Sequence, residues 1–320
     1  MRILVTSTIR DAINTNVAVR RYVYEGLAEV LGASCIRVCH LEVATSGIDE
    51  FQPDLVLAVG SLASDDSDLR KLRRVADRQG AAVAFWLHDD PYEFDYAYKA
   101  IARADIVFTN DAWAAHHYRH PNVHHLPLAA SALEHLRPIL PPNRRDTGLF
   151  FCGVAFPNRV DLLRAAQPLI SGFPVSVMGA GWPADLRFAV NQRLTAREMA
   201  DQAQRASLTL NIGRDHDIAN QRYALPASTP GPRTFEVALA GSAQAFFVAG
   251  LEICNFFEPQ TEILLFDSVV ELRQLVERAQ DEPQWSVSIA ERAQTRALRD
   301  HTYVSRARCL LDHCRPLSVG

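Results

Sequence analysis

The residues best suited to chemistry lie in the segment 228–241, STPGPRTFEVALAG. Its Pro/Gly turn precedes a helix expected to begin at about Arg233, and the N–H groups of such a first turn carry the positive end of the helix dipole. Arg233 adds a full charge there, and the combination suits a diphosphate. The carboxylate of Glu236 could accept hydrogen bonds from both hydroxyls of a ribose. A plain capped helix with Glu in its first turn remains the alternative.

A second polar group, His88, Asp89 and Asp90, directly follows an apolar run at 82–87. Ligands of parallel sheets bind beyond the carboxyl ends of the strands, so these side chains are expected at the face between two domains. His88 could donate a hydrogen bond to negative charge that develops on a bound ligand. Asp89 or Asp90 could bind ligand hydroxyls or accept a proton from one. The alternative for Asp90, which precedes Pro91, is to cap a helix at 92–104.

Three further polar stretches give weaker indications. A zinc site needs three or four converging ligands, and adjacent histidines on one element point in different directions. A surface cluster is therefore favoured over a metal site for His116, His117, His120, His124 and His125. Residues 215–217 (DHD) could bind sugar hydroxyls or cap a turn. The loop 6–15 is polar, which suits a hydroxylated acceptor.

The elements that must position these residues alternate between strands and helices, which predicts βαβ units and mostly parallel sheets. In the first part of the chain, strands are predicted at 2–6, 34–38, 54–60, 82–87, 105–109 and 123–128, with helices at 17–31, 67–78 and 92–104. A Pro-rich linker at 138–148 follows. In the second part, strands are predicted at 149–152, 175–178, 208–212 and 243–248, and helices at 160–169, 196–206, 233–240, 269–279, 284–299 and 303–313.

Composition narrows the classes of protein. The 320 residues are 48% hydrophobic and carry a formal net charge of −4, which argues against a nucleic-acid binder driven by bulk electrostatics. No apolar run approaches the ~18 residues that span a bilayer, and the N-terminus is predicted to be a strand, so a cytoplasmic protein is expected. The six cysteines form no CxxC pair, and reduced, mostly buried thiols are the favoured interpretation.

At this point the sequence resembles a known family, the CgeB-like glycosyltransferases of the GT-B fold, which are related to a large retaining family. The likeness covers roughly residues 82–311 and follows the family's motif order. It is carried by FWLHDDPYEF (85–94), DIVFTND (105–111), NVHHLPLAAS (122–131), FFCGVAFPNR (150–159), VMGAGW (177–182), PRTFEVALAG (232–241) and RDHTYVSR (299–306).

The resemblance assigns roles to matching positions. It implies that Glu236 binds the nucleotide ribose, that Arg233 holds the pyrophosphate, and that His88 touches the donor sugar or its phosphate. The donor-binding set that it implies is Gly153, Arg159, Gly179, Gly181, Asn211, Arg233, Thr234 and Glu236. The glycines would let the nucleotide approach the backbone, whereas a surface ion pair is an equal alternative for Arg159. Many retaining relatives carry an acidic residue eight positions before the ribose Glu, and here that position is Ser228.

The expected fold is therefore α/β, with two Rossmann-like parallel-sheet domains facing each other across a cleft. The first domain is expected at 1–140, joined by the helix at 303–313, and the second at 147–300. The expected activity is transfer of a sugar from a nucleotide diphosphate sugar, UDP by default, to a hydroxyl acceptor with retention and without a metal or other cofactor. An oligomer is possible. The alternatives are a non-catalytic nucleotide-sugar-binding protein, which Ser228 favours, and a sugar-nucleotide epimerase.

Overall fold

The computed structural model describes residues 1–14, 16–63, 65–248 and 250–314. They form two compact units. The first contains Met1–Leu128, Asp217–Thr229 and Tyr303–Gly320, and the second contains Ala129–His216 and Pro230–Thr302. The chain thus passes from the first unit to the second at Leu128, ahead of the Pro-rich segment at 138–148.

The first unit is built on a six-stranded parallel sheet. Its strands are β1 (Ile3–Ser7), β2 (Ile36–Val38), β3 (Leu55–Gly60), β4 (Ala82–Leu87), β5 (Ile106–Thr109) and β6 (Val123–His125). They lie in the order β2-β1-β3-β4-β5-β6. Both faces are covered, which explains why β3 and β4 are almost continuously apolar in sequence.

The second unit has its own six-stranded sheet, again parallel throughout. Its strands are β7 (Thr147–Val154), β8 (Val175–Ala180), β9 (Ala189–Val190), β10 (Ala206–Asn211), β11 (Ala243–Phe247) and β12 (Leu264–Phe266), in the order β12-β11-β10-β7-β8-β9. The expectation of an α/β protein with two parallel-sheet domains is confirmed in these two sheets.

Helices connect the strands and cover the sheets. They are α1 (Val17–Leu31), α2 (Ala44–Phe51), α3 (Ser67–Gln79), α4 (Ala97–Ile101), α5 (Ala112–His117), α6 (Ala132–His135), α7 (Pro157–Ile170), α8 (Ala196–Arg205), α9 (Arg233–Leu239), α10 (Val269–Asp281), α11 (Pro283–Asp300) and α12 (Tyr303–Cys314). Within the described ranges, none of these helices combines the length and apolar character needed to cross a bilayer.

Three predicted elements are wrong in part. The strand expected at 123–128 ends at His125, because Pro127 has no N–H with which to continue the ladder. The strand expected at 34–38 begins only at Ile36, because residues 33–35 form a 3-10 turn closed by the Cys35 N–H donating to the Gly32 carbonyl. The helix expected at 92–104 is broken into a 3-10 turn at 94–96 and the short α4. Its backbone is engaged elsewhere, since the Tyr92 carbonyl accepts hydrogen bonds from Ile218 and Ala219.

Those partners belong to a segment that we call the strap, Asp217–Thr229, which packs with the first unit although the chain on both sides of it lies in the second. The Asp95 carboxylate accepts hydrogen bonds from the backbone N–H groups of Gln221 and Arg222. Leu225 is buried in the hydrophobic core of the first unit. The strap is therefore an integral part of that unit.

The last helix, α12, packs on α1 in the first unit. A Cβ on Gly26 of α1 would lie 2.3 Å from the Tyr303 carbonyl oxygen, so only glycine permits this approach. The Tyr22 and Tyr303 rings lie 5.5 Å apart, and the Arg306 guanidinium donates to the Pro127 carbonyl. Residues after 302 thus complete the core that residues 1–128 begin.

Candidate functional site

In the second unit, Arg233 and Glu236 occupy the first turn of α9. The Arg233 guanidinium lies 2.8 Å from the Glu236 carboxylate, as residues three apart on a helix can. The Arg233 side chain is 36% exposed and the Glu236 side chain 15% exposed. A cation and an anion side by side, both reachable from solvent, can bind a ligand that is anionic at one point and rich in hydroxyl donors at the next.

Three amides of this helix start, which were expected to be free, are already bonded. The N–H groups of Thr234, Phe235 and Glu236 donate to the carbonyls of Gly231 and Pro232. The Pro/Gly turn folds back onto the start of the helix and uses three of the donors that were expected to hold a diphosphate. The Arg233 guanidinium is a charged group that this turn presents to an anion.

Behind Glu236 lies the buried side chain of His135, from α6. Its Nε2 is 3.7 Å from the Glu236 carboxylate, and its Nδ1 lies 3.0 Å from the Ser131 carbonyl oxygen, to which it donates. That bond fixes the ring with Nε2 toward Glu236. Because Nδ1 already carries a proton, an ion pair with Glu236 requires a second proton on Nε2. His135 was not singled out from the sequence, because it lies about 100 residues before its partner and has no motif around it.

Asn211 and Thr234, two residues of the predicted donor-binding set, belong to one buried hydrogen-bond network. The Asn211 amide donates to the Thr234 hydroxyl at 2.9 Å and to the Gln244 side-chain oxygen at 3.0 Å. Gln244 in turn donates to the Thr234 carbonyl at 2.7 Å. This network ties the start of α9 to β10 and β11, so these side chains fix the position of Arg233 and Glu236 in the second sheet.

The three predicted glycines lie at or just beyond the ends of β7 and β8, and the fold itself requires two of them. Gly179 has φ +151°, and a Cβ there would lie 1.8 Å from the Gly153 carbonyl oxygen. Gly181 has φ +83°, in the region that favours glycine. A Cβ on Gly153 would lie 3.0 Å from the Arg159 guanidinium. Close packing between the strands therefore already accounts for Gly179 without a nucleotide.

Arg159, on α7, is bound to backbone and not to a carboxylate in its described hydrogen bonds. Its guanidinium donates to the carbonyls of Ile212 and Val154 at 3.1 and 3.0 Å. The guanidinium also lies over the Phe156 ring, 5.0 Å from its centroid. The Phe156 ring in turn stacks on His216. Arg159 thus joins the ends of β7 and β10.

In the first unit, His88 follows β4 and is buried. Neither ring nitrogen has a hydrogen-bond partner among the residues that the structure describes, and burial lowers the pKa of the imidazole to about 4. The ring is therefore neutral near pH 7, with one N–H to donate and one nitrogen to accept. This can serve a hydroxyl or a phosphate oxygen, but without a full positive charge. The role that the resemblance implies for His88 stays a prediction.

Asp90 does not cap a helix. Its buried carboxylate accepts hydrogen bonds from the hydroxyls of Thr109 and Tyr118, each at 2.7 Å. Burial raises the pKa of Asp90 to about 6, although those two hydrogen bonds oppose the rise. Asp89, its neighbour, is only partly buried. Of the two aspartates, Asp90 is held in the interior by hydrogen bonds, and Asp89 is the more accessible to a ligand.

Glu93, which the sequence analysis did not single out, is the most perturbed acid of this region. It accepts hydrogen bonds from the Ser61 hydroxyl at 2.5 Å and from the Leu62 N–H at 2.6 Å. Burial, and to a lesser degree the charge of Asp89, raise the pKa of Glu93 to about 8. No sequence signal could have indicated this, because the partners lie some 30 residues away at the end of β3.

Ser228, where many retaining relatives carry an acid, is bonded to a different acid. The Asp111 carboxylate accepts hydrogen bonds from the N–H groups of Ser228 and Thr229 at 2.7 and 2.9 Å, and from the Ser228 hydroxyl. Asp111 also caps α5 by accepting from the Ala114 N–H. A second carboxylate at position 228 would face that of Asp111, so the serine fits this anchor of the strap.

Three histidines of the run contact different partners. His120 contacts the carbonyls of Asn122 and Ala104, His124 stacks on His313, and the ring of His125 lies 3.0 Å from the Thr229 hydroxyl. In the loop after β1, the Asp11 carboxylate is bound by Arg20 through two hydrogen bonds and lies 2.7 Å from His40. Thr15 of that loop lies outside the described residues.

With this geometry in place, comparisons with known proteins identify the fold. Residues 159–312 match the model of a family described as glycosyl transferase-like, Glyco_trans_1_2. That match includes Arg233, Glu236 and the hydrogen-bond network of Asn211, Thr234 and Gln244. It covers slightly less than half of the chain. No match to a curated protein sequence accompanies it.

Solved structures are similar over the whole chain. A glycosyltransferase from Rickettsia africae superposes with a TM-score of 0.68 at 8% identity, covering 100% of both chains. HepE from Anabaena, in complex with UDP-glucose, gives 0.62 at 12% identity over 99% of this chain and 100% of its own. A candidate UDP-N-acetylglucosamine 2-epimerase from Listeria monocytogenes gives 0.59 at 11%, over 97% and 95%.

These similarities and the two parallel six-stranded sheets agree with the expectation drawn from the sequence. The identities are low, so the structures inform on architecture, and the narrower resemblance to CgeB-like proteins stays a prediction. The chain has the GT-B fold of glycosyltransferases.

Proposed function

We propose that this protein is a glycosyltransferase whose nucleotide diphosphate sugar binds in the second unit. The observation that carries the proposal is the Arg233–Glu236 pair in the first turn of α9, within the residues that match a glycosyl transferase-like family. The guanidinium would bind the diphosphate, since its fork of N–H donors fits phosphate oxygens. The Glu236 carboxylate would accept hydrogen bonds from the two ribose hydroxyls.

The proposed reaction forms one bond and breaks one. The oxygen of an acceptor hydroxyl bonds to the anomeric carbon, and the bond from that carbon to the diphosphate oxygen breaks. The electron pair leaves with the nucleoside diphosphate, and the acceptor proton passes to a diphosphate oxygen. Arg233 stabilises the negative charge that develops there. His88 keeps the role toward the donor that the resemblance implies, and Asp89 or Asp90 would bind the acceptor hydroxyl.

UDP is the proposed carrier, and retention is the proposed outcome. The complexes of HepE with UDP-glucose and with UDP support the choice of base. Retention rests on the resemblance to retaining enzymes, and same-face displacement is favoured because no carboxylate nucleophile is evident. An anomeric signal of the product that is inverted relative to the donor, measured by NMR, would contradict retention.

The donor site is tested by a thermal-shift panel of UDP, GDP, ADP and CDP on the wild type, Glu236→Ala and Arg233→Ala, with EDTA present throughout. A ligand at a hundredfold excess over Kd stabilises the folded state by about 2.7 kcal/mol. We expect one diphosphate to raise the melting temperature of the wild type and neither variant to respond.

The matched control is Glu277→Ala, which removes the acid of a surface Arg–Glu pair on α10. Arg273 and Glu277 lie 2.7 Å apart, close to the 2.8 Å between Arg233 and Glu236. It should respond like the wild type. An equal shift in Glu236→Ala would remove the ribose role, and no shift with any diphosphate in the wild type would remove the proposal.

A sugar-nucleotide epimerase is the second candidate, favoured by the similarity to the Listeria structure. An epimerase converts the donor without an acceptor and releases no transferred product. Incubation with UDP-sugars alone, followed by NMR of the sugar, separates the two. A new epimer without acceptor supports the epimerase, and a glycosylated acceptor supports the transferase.

A further inference from the structure

The first unit exposes an aromatic patch that the proposed donor site does not use. We call it the aromatic surface and define it as Trp113, His117 and Tyr223. Trp113 is 45% exposed and Tyr223 is 48% exposed. Large aromatic side chains left in water in a group mark binding surfaces more often than isolated ones do.

The three rings are connected by one direct contact and by two contacts to a buried phenylalanine ring. Trp113 and His117 have centroids 4.9 Å apart. The buried Phe94 ring contacts His117 at 6.4 Å and Tyr223 at 5.1 Å, in both cases edge to face. The rings therefore form one continuous patch, with Phe94 anchoring it to the hydrophobic core of the first unit.

The backbone that carries these rings is held on both sides. The backbone N–H of Trp113 donates to the Ser228 hydroxyl oxygen, in the same first turn of α5 that Asp111 caps. In the strap, the Asn220 amide closes the loop around Tyr223 by bonding both the N–H and the carbonyl of Leu225. Rings on fixed backbone lose little entropy when a ligand binds.

The chemistry of the patch favours a carbohydrate. The C–H bonds on one face of a pyranose are attracted to the negative face of an aromatic ring. The indole N–H, the imidazole and the phenol can bind the surrounding hydroxyls. The exposed neighbours of the rings in 112–118 and 220–224 are three polar side chains and one alanine, His116, Gln221, Arg222 and Ala224, which suits a hydroxylated ligand. Ile218, five positions before Tyr223 in the strap, is the exposed aliphatic side chain that a lipid surface or an apolar protein partner would use.

We infer that the aromatic surface binds a pyranose ring of the acceptor, stacked on Trp113 with Tyr223 beside it, and that the acceptor is a carbohydrate. This inference rests on the proposed function.

The test is a titration of the full chain with maltohexaose, cellohexaose and chitohexaose, followed by tryptophan fluorescence and calorimetry. We expect saturable binding of at least one of these probes by the wild type. Trp113→Ala and Tyr223→Ala should each weaken it about tenfold, the loss that ~1.4 kcal/mol of ring contact produces. Trp113→Phe, which keeps a ring, should bind within a few fold of the wild type.

The control variant is Leu251→Ala, which removes a 73% exposed apolar side chain from the second unit and should bind like the wild type. Unchanged melting temperatures confirm that the variants are folded. Absence of saturable binding by the wild type, or equal binding by Trp113→Ala and Tyr223→Ala, would overturn the inference. So would Trp113-dependent binding to phosphatidylcholine/phosphatidylglycerol vesicles, or Trp113-dependent dimerisation, without sugar binding.

The two proposals fail separately. A UDP shift that depends on Glu236, without oligosaccharide binding, overturns the aromatic surface and keeps the donor site. Oligosaccharide binding that depends on Trp113, without any nucleotide shift, keeps the aromatic surface as a carbohydrate site and removes the transferase.

Discussion

At the scale of single residues, Glu93 makes a prediction about pH. Its folded pKa of about 8 lies above the value of 4.5 for a free glutamate, so the folded state holds a proton that the unfolded state has lost. Stability must therefore fall as pH rises from 4.5 to 8. The loss is about 1.4 kcal/mol per pH unit where the two states differ by one proton.

The window from pH 6.5 to 8 isolates this residue from its neighbours. The pKa of His88 is lowered from 6.5 to about 4, and that of Asp90 is raised from 3.8 to about 6, so their contributions change below the window. We expect the melting temperature of the wild type to fall between pH 6.5 and 8, and that of Glu93→Gln to stay nearly level. Glu277→Gln, a surface control, should follow the wild type. Parallel curves for wild type and Glu93→Gln would show that the carboxyl is ionised throughout.

At the scale of elements, the strap depends on Asp111. Asp111→Ala removes the cap of α5 and the carboxylate that accepts from the partly buried N–H groups of Ser228 and Thr229. A lost cap costs about 1 kcal/mol, and each lost hydrogen bond about 0.5–1.5 kcal/mol. We expect faster amide hydrogen exchange across the strap and in α5, measured by mass spectrometry.

Ser268→Ala is the matched control for the cap alone, because Ser268 caps α10 in the second unit by accepting from the Glu271 N–H. It should speed exchange only at the start of α10. Exchange in the strap that is as slow in Asp111→Ala as in the wild type would mean that Asp95 and Leu225 hold the segment without Asp111.

The strap also shows where prediction from the sequence ends. Helix α1 and strand β4 were predicted at their observed bounds, because helical spacing and a continuous apolar run are local signals. The predicted helix at 92–104 failed because Tyr92 and Asp95 bond to residues more than 120 positions later. No local pattern in 217–229 indicates that it leaves the unit of its neighbours.

The same limit applies to the candidate site. Arg233 and Glu236 were predicted together because they lie three positions apart on one helix. Their supports, His135 and Gln244, come from other elements and carry no motif. Free amides were also expected at the helix start, and those of Thr234, Phe235 and Glu236 are bonded because the turn before Arg233 closes on itself.

At the scale of the whole molecule, the chain crosses between units four times, so neither unit is a continuous piece of sequence. The first unit needs α12, whose buried face includes Tyr303, Ala307, Leu310 and Leu311. Each fully buried large side chain contributes roughly 1.5–3 kcal/mol of apolar burial, so Tyr303, Leu310 and Leu311 together contribute about 5–9 kcal/mol, comparable to the ~5–15 kcal/mol that holds a domain folded. The second unit has a separate core and contains the proposed donor site.

A chain that ends at Thr302 should therefore lose the first unit and keep the second. Calorimetry should show the transition of the first unit lost, while the UDP-dependent shift that requires Glu236 persists. A chain that ends at Cys314 is the control, because it retains all of α12 and should keep both transitions. If the chain that ends at Thr302 keeps both transitions, α1 folds without its partner helix. If it loses both, the second unit depends on the first, and nucleotide binding then reports on the folding of the entire chain.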